Sequence, residues 1–325
     1  CDAIYEQTSF TEARKWGLDI LNLRVITTQA NKKKKIVEKS TPLNHRKIKG
    51  AYDAVHQSMK KIANTFATDW QLTNAKCLVT NEIVMFSAFY RKHKTPSKSM
   101  LGSVSKRLMI SMIRKSTTGG STQAMTTDAC NAMRLSTPGK ALDGILDTTK
   151  LIPVDTGITS KDSPKNPKSA VGIDSMMFQL VKLHLFRNKA NDIFTPTHKI
   201  DRSTYSSNDA DHFYPKKELR KHPSIEHRKN HIANYVIMSN WSNRSKGGKW
   251  PYDVIDASNA WPKNKDERDN WKTMWLPGKT TGGTWAQKPT KSFKVKDFTS
   301  FLSWRSKLIV KDLNKMLDEI ETTGF

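Results

Sequence analysis

SSNDADHFYPKKELRKHPSIEHRKNHIANYVIMSNWSNRSKGGKW, residues Ser206 to Trp250, is the stretch around which the rest of the chain is read. Its first part sets a carboxylate beside an imidazole, Asp211 and His212, ahead of Phe213, Tyr214 and Pro215. Its second part carries Asn234, Tyr235, Val236, Ile237 and Met238, and then Asn243, Arg244, Ser245 and Lys246. The apolar run between the two asparagines suits a short strand, and the polar segment opening near Ser239 suits the first turn of a helix.

These residue types fit hydrolysis of a phosphodiester. That reaction needs a base to deprotonate water, a hard cation to neutralise charge on the phosphate and the leaving oxygen, and hard oxygen ligands for the cation. Asp211 and Asn243 offer such oxygens to an ion like Mg²⁺, which takes few protein ligands and keeps several waters. His212, with an ordinary pKa of about 6.5, is a base near neutral pH. Neighbouring side chains on a strand point to opposite faces, so Asp211 and His212 converge only if the backbone there is twisted or loop-like.

Working outward, the 325 residues hold 55 Lys+Arg against 30 Asp+Glu, a formal net charge of +25 that points to polyanionic partners, nucleic acid first. The basic residues are clustered. Eight of them face one acid, Glu38, between Asn31 and Gly50, starting with Lys32, Lys33, Lys34 and Lys35. Ile83 to Thr127 contains no acid but does contain Arg91, Lys92, Lys94, Lys98, Lys106, Arg107, Arg114 and Lys115. A single charge run is commonly just a solvated face; two on so basic a chain favour a phosphate-backbone footprint, with Arg91, Lys92, Arg107 and Arg114 as contacts beside the Lys32 to Lys35 run.

The first half has helical periodicity. Val55, Met59, Ile62 and Phe66 recur at steps of four and three, and further helices are expected through Val104, Leu108 and Met112 and from Ile173 to Phe186. Breakers separate them at Gly119 and Gly120, at Pro138 and Gly139, and through an expected exposed loop from Asp155 to Ser169. A Trp-rich, turn-rich stretch runs from Trp250 to Trp285, through Trp261, Trp271 and Trp275. Packing is the simpler use of these rings, with base stacking the alternative. An amphipathic helix from about Asp297 follows, striped by Leu302, Ile309, Leu313, Met316 and Ile320.

No run reaches the roughly 18 apolar residues of a membrane span, and the first 30 residues lack the order of a signal peptide. Three distant cysteines, Cys1, Cys77 and Cys130, form no CxxC pair, so a reducing cytoplasm is the expected location. The chain starts at Cys1 rather than Met, which leaves room for a further N-terminal domain. No GxxxxGK[ST] loop is present, so any nucleotide hydrolysis would belong to that domain.

The stretch from Asp211 to Pro215, followed by Asn234 and by Asn243-Arg244-Ser245-Lys246, resembles the HNH, or ββα-metal, nuclease motif. The nine-residue step from Asn234 to Asn243 and the ending Asn-Arg-Ser-Lys look very like the HNH domain of the RNA-guided CRISPR nuclease. A helical region before the motif and the closing Phe298, Phe301, Leu302 and Arg305 pattern look similar to the C-terminal half of GmrSD-type modification-dependent restriction proteins, including the phosphorothioation-linked anti-phage effectors.

The resemblance implies a mainly α fold: a helical basic DNA-binding region over 1–195, an embedded ββα-metal motif over 196–260, and a Trp-rich segment with a closing helix over 261–325. It makes His212 the general base, Asp211 and Asn243 ligands of one divalent metal (Mg²⁺ or Mn²⁺), Asn234 a brace for the loop holding the base, and Arg244 or Lys246 a phosphate or transition-state contact. It implies an endonuclease that nicks foreign double-stranded DNA in anti-phage defence or restriction, joined to an N-terminal NTPase or sensor domain. Two departures stand out: Asp211 replaces a His frequent in the restriction family, and the interval from His212 to Asn234 is long, implying an inserted loop over Arg220 to Lys229. The rival readings are a non-catalytic DNA-binding or sensing module and an RNA-directed nuclease. A zinc site on His222, His227 and His231 competes with solvated histidines in a basic loop, which are simpler because no cysteine or acid stands at a fitting spacing.

Overall fold

Val55, Met59, Ile62 and Phe66 are all buried on one helix, α1 (His45–Thr68), as their spacing predicts. The computed structural model describes residues 45–114, 122–146, 175–226, 228–277 and 295–325. These are mainly helical, with one two-stranded sheet among the described residues. They fall into two compact units, one within Cys1–Lys150 and Asp318–Phe325, the other within Leu151–Leu317. None of the described helices is long and apolar enough to cross a membrane.

In the first unit α1 is followed by α2 (Thr80–Lys92), α3 (Lys98–Arg114), α4 (Thr122–Ala132) and α5 (Pro138–Leu146). Pro138, expected as a breaker, opens α5, where its fixed φ suits the first turn and its missing N–H costs nothing. Phe66, Trp70 and Phe86 form an aromatic cluster, with Trp70 stacked on Phe86 at 5.8 Å and 21°. Burying each such ring stabilises the unit by about 1.5–3 kcal/mol. The Trp70 indole donates to Ser105 Oγ (3.1 Å), so its one polar atom is satisfied inside the core. Gly102 on α3 lies against the carbonyl of Ile320; a Cβ there would clash with that oxygen. Glycine is what allows the last turns of the final helix to lie so close.

The second unit opens with α6 (Met176–Arg187), capped by Ser175 Oγ accepting from Phe178 N and buried from Met176 to Phe186. The sheet follows, β1 (Asn208–His212) antiparallel to β2 (Tyr235–Ser239). Between the strands, where a long inserted loop is expected, stand two single-turn helices, α7 (Lys216–Leu219) and α8 (Pro223–Glu226), and a 3-10 turn at Ile232–Asn234. Directly after β2 comes α9 (Asn240–Lys246), then α10 (Pro251–Ala257), α11 (Lys265–Thr273) and α12 (Phe298–Thr323), whose last turns, from Asp318, belong to the first unit. The described part of the Trp250 to Trp285 stretch, up to 277, is thus more helical than its turn-rich composition suggests. Trp261, Trp271 and Trp275 are buried, so packing is their use. Ile173, the Gly119 and Gly120 pair, the loop from Asp155 to Ser169 and Trp285 lie outside the described residues.

Candidate functional site

The order strand, strand, helix is produced by local rules. Tyr235, Val236, Ile237 and Met238 favour an extended chain and are buried. Ser239 then ends the strand, its Oγ accepting from Ser242 N (3.0 Å) as the N-cap of α9. The Ser239 N–H is held by buried Asp192 (2.8 Å), whose other oxygen takes Phe194 N (2.8 Å). Helix α9 therefore starts at a fixed point beside the sheet.

In register, Asp211 faces Val236 and His212 faces Tyr235. Strand alternation turns Asp209 and Asp211 to one face and His212 to the other. The carboxylate face meets α9. Asp211 Oδ2 pairs with Lys246 Nζ at 2.6 Å, and the same ammonium donates to the His212 carbonyl at 2.8 Å. Asn243 Nδ2 donates to Asp209 Oδ2 at 2.9 Å. With its amide nitrogen turned toward them, Asn240 donates to Asp209 Oδ1 (3.1 Å) and the Ser207 carbonyl (2.9 Å).

His212, half-buried at the end of β1, has its ring 4.5 Å from that of Tyr235, and its Nε2 lies 3.0 Å from Asn230 Oδ1. Burial pulls its pKa below the ordinary 6.5; the Asn230 bond and the Asp211 charge oppose this, and Lys216 and Lys246 add to it. The shift favours the neutral imidazole, the state a proton acceptor needs.

Asn234 is fully buried. Its Oδ1 accepts from Tyr214 N (2.8 Å), and its Nδ2 donates to the carbonyls of Lys229 (2.8 Å) and Tyr214 (3.2 Å). It ties the chain leaving β1 to the chain entering β2. Underneath, the buried Arg305 guanidinium donates to the carbonyls of Ala233 (2.8 Å), Tyr235 (2.7 Å) and Met274 (3.2 Å). Burial pushes its pKa down to about 9.

The other expected residues are distributed differently. Arg244 is exposed on α9, whereas Lys246 is 2% exposed and committed to Asp211. In the first unit Lys92 is exposed and Arg91 half-buried at the end of α2. Arg107 is buried, its guanidinium gripping Asp143 with two bonds of 2.7 Å and Glu321 with one of 2.5 Å. Its charge is spent on holding α3, α5 and the last turns of α12 together. The Arg114 side chain and Lys32 to Lys35 lie outside the described residues.

No family model, curated protein or solved structure matches this chain.

Among the described residues no group of three or more His, Cys, Asp or Glu is arranged to hold a metal ion. The carboxylate face carries hard oxygens of Asp209 and Asp211, and Asn243 turns its amide nitrogen toward Asp209. Oxygen ligands of this kind suit Mg²⁺ or Mn²⁺ better than zinc. Two residues here escaped the sequence reading. Asp209 had a signal, since it stands two positions before Asp211 and so on the same strand face; Asn230 had none, because its turn is defined only by the fold.

His227 lies outside the described residues, and His231 serves the fold, its Nδ1 accepting from Ala233 N (3.1 Å) to cap the 3-10 turn. Burial, reinforced by Arg228 and Arg305, pushes its pKa from 6.5 to about 4. Between those two values the unfolded chain binds a proton that the folded chain refuses, so stability falls as pH falls. At about 1.4 kcal/mol per pKa unit the loss between pH 7 and 5 is about 2 kcal/mol. Urea midpoints at the two pH values should record it, and His231→Asn, which keeps a capping acceptor but does not titrate, should remove it. A native-sized pH dependence in the variant would assign the effect elsewhere.

Proposed function

We propose that this chain is a metal-dependent DNA endonuclease of the ββα type that nicks foreign double-stranded DNA. The observation that carries the reading is that β1, β2 and α9 bring Asp209, Asp211 and Asn243 to one side of the strand pair, with His212 as the last residue of β1. When bound, Mg²⁺ or Mn²⁺ supplies charge neutralisation on the phosphate and on the departing 3′ oxygen. Asp211 and the Asn243 amide oxygen would hold it, with Asp209 beside them. His212 takes the proton from the attacking water, and its carbonyl bond to Lys246 keeps the end of β1 in position while it does so. Arg244, exposed on α9, is free to approach a phosphate. The products are 5′-phosphate and 3′-hydroxyl ends, one strand being cut per visit. The net charge of +25 supports a DNA partner. An N-terminal NTPase or sensor partner and a role in phage restriction rest on the motif resemblance.

One observation favours a second reading, a non-catalytic DNA-binding module: Asp211 and Asn243 each already hold a protein partner, Lys246 and Asp209. Plasmid relaxation separates the two. Nicking that requires Mg²⁺ or Mn²⁺, stops with EDTA and falls about a hundredfold or more in Asp211→Ala supports the nuclease. Duplex binding without relaxation under any metal supports the binding module, and preferential cleavage of single-stranded RNA would move the substrate to RNA.

A further inference from the structure

We propose that Asn230 is a positioning residue that fixes which nitrogen of His212 carries the hydrogen, leaving Nδ1 as the proton acceptor. The proposal rests on the nuclease reading above and identifies a residue that the HNH-like motif does not contain. Two donors converge on one atom. His212 Nε2 lies 3.0 Å from Asn230 Oδ1, and the Tyr235 hydroxyl donates to the same oxygen at 3.4 Å. An amide oxygen only accepts, so the nitrogen facing it must carry a hydrogen, and in a neutral imidazole the other nitrogen then holds the lone pair.

The arrangement is held from three sides. His212 and Tyr235 are paired residues of the two strands and their rings touch, so the imidazole cannot swing freely. Asn230 follows Lys229, whose carbonyl is gripped by buried Asn234 at 2.8 Å and whose ammonium pairs with Glu226 at 2.6 Å. The turn bearing Asn230 is thus anchored by the side chain that also ties down Tyr214, two residues after the base. The interval between His212 and Asn234, long for the motif, contains the residue that orients the base.

The test has two readouts on the full chain. ¹⁵N shifts of the His212 ring, taken at pH 8 without metal or DNA and assigned by their loss in His212→Gln, should report a single Nε2–H tautomer in the native protein. They should move toward the mixed tautomers of free imidazole in Asn230→Leu. With Mg²⁺ and plasmid DNA, Asn230→Leu should lower kcat about ten- to a hundredfold at an unchanged KM, the size expected for an outer partner of a functional histidine, and Asn230→Asp, which keeps the acceptor, should recover most of it. An Nδ1–H tautomer in the native chain overturns the proposal, as does native kcat in Asn230→Leu. The ring shifts do not depend on cleavage: a chain with the Nε2–H tautomer that never nicks loses the nuclease reading alone, and a chain that nicks normally without Asn230 loses the positioning role alone.

Discussion

Replacing His212 by alanine should lower metal-dependent nicking by about a hundred- to ten-thousandfold while leaving duplex affinity close to native. That loss corresponds to about 3–5 kcal/mol of barrier. Affinity should survive because the carboxylate face does not use the imidazole: Lys246 reaches the His212 carbonyl, which alanine retains, and Asn243 reaches Asp209. The pH profile adds a sign. A base works when neutral, and burial holds this imidazole below 6.5, so the native rate should be level from neutral pH upward and fall only on the acid side, with a midpoint below 6.5. Residual nicking by His212→Ala should lack that acid limb. Nicking at the native rate, or an acid limb that persists in the variant, would remove His212 from the role of base.

What the sequence made legible follows from the range of the interactions involved. Helix α1 is readable because Val55, Met59, Ile62 and Phe66 record a local period, and α12 likewise from Leu302 to Ile320. Strand β2 and the start of α9 are readable because an apolar run ends on a capping serine. The partners of the polar side chains are not readable. Asp211 is expected beside Asn243, yet its contact is Lys246, and Asn243 turns to Asp209, because a strand's period of two and a helix's of 3.6 meet at an angle that only packing determines. Arg107 shows the same limit. In sequence it is one charge in an acid-free run, but its acids come from α5 and from the last turns of α12, distant along the chain. Composition sees a basic patch where the fold has an internal ion pair. The tryptophans illustrate the reverse case, since Trp261, Trp271 and Trp275 lie in a polar, turn-like context and are nevertheless buried once α11 forms around them.

Asn234→Ala should destabilise the second unit by about 3 kcal/mol or more, read as a lowered urea midpoint at an unchanged slope. The amide is fully buried and makes one accepted and two donated bonds, so alanine takes this partner from the buried N–H and carbonyl of Tyr214 and from the half-buried carbonyl of Lys229. Removing one member of a buried hydrogen-bonded set exposes the others to their full desolvation cost, which exceeds the net value of the bonds themselves. Asn234→Asp discriminates this account from a loss of shape. It is nearly isosteric and keeps an acceptor for Tyr214 N, but it turns an oxygen toward two carbonyls and buries a charge, so it should cost at least as much as alanine. Because Tyr214 follows His212 by two residues and Lys229 precedes Asn230, both variants should, on the nuclease reading, also lower kcat for nicking at temperatures where the chain remains folded. An Asn234→Asp chain more stable than Asn234→Ala would mean that side-chain volume, and not the donated pair of hydrogen bonds, is what joins the end of β1 to the start of β2.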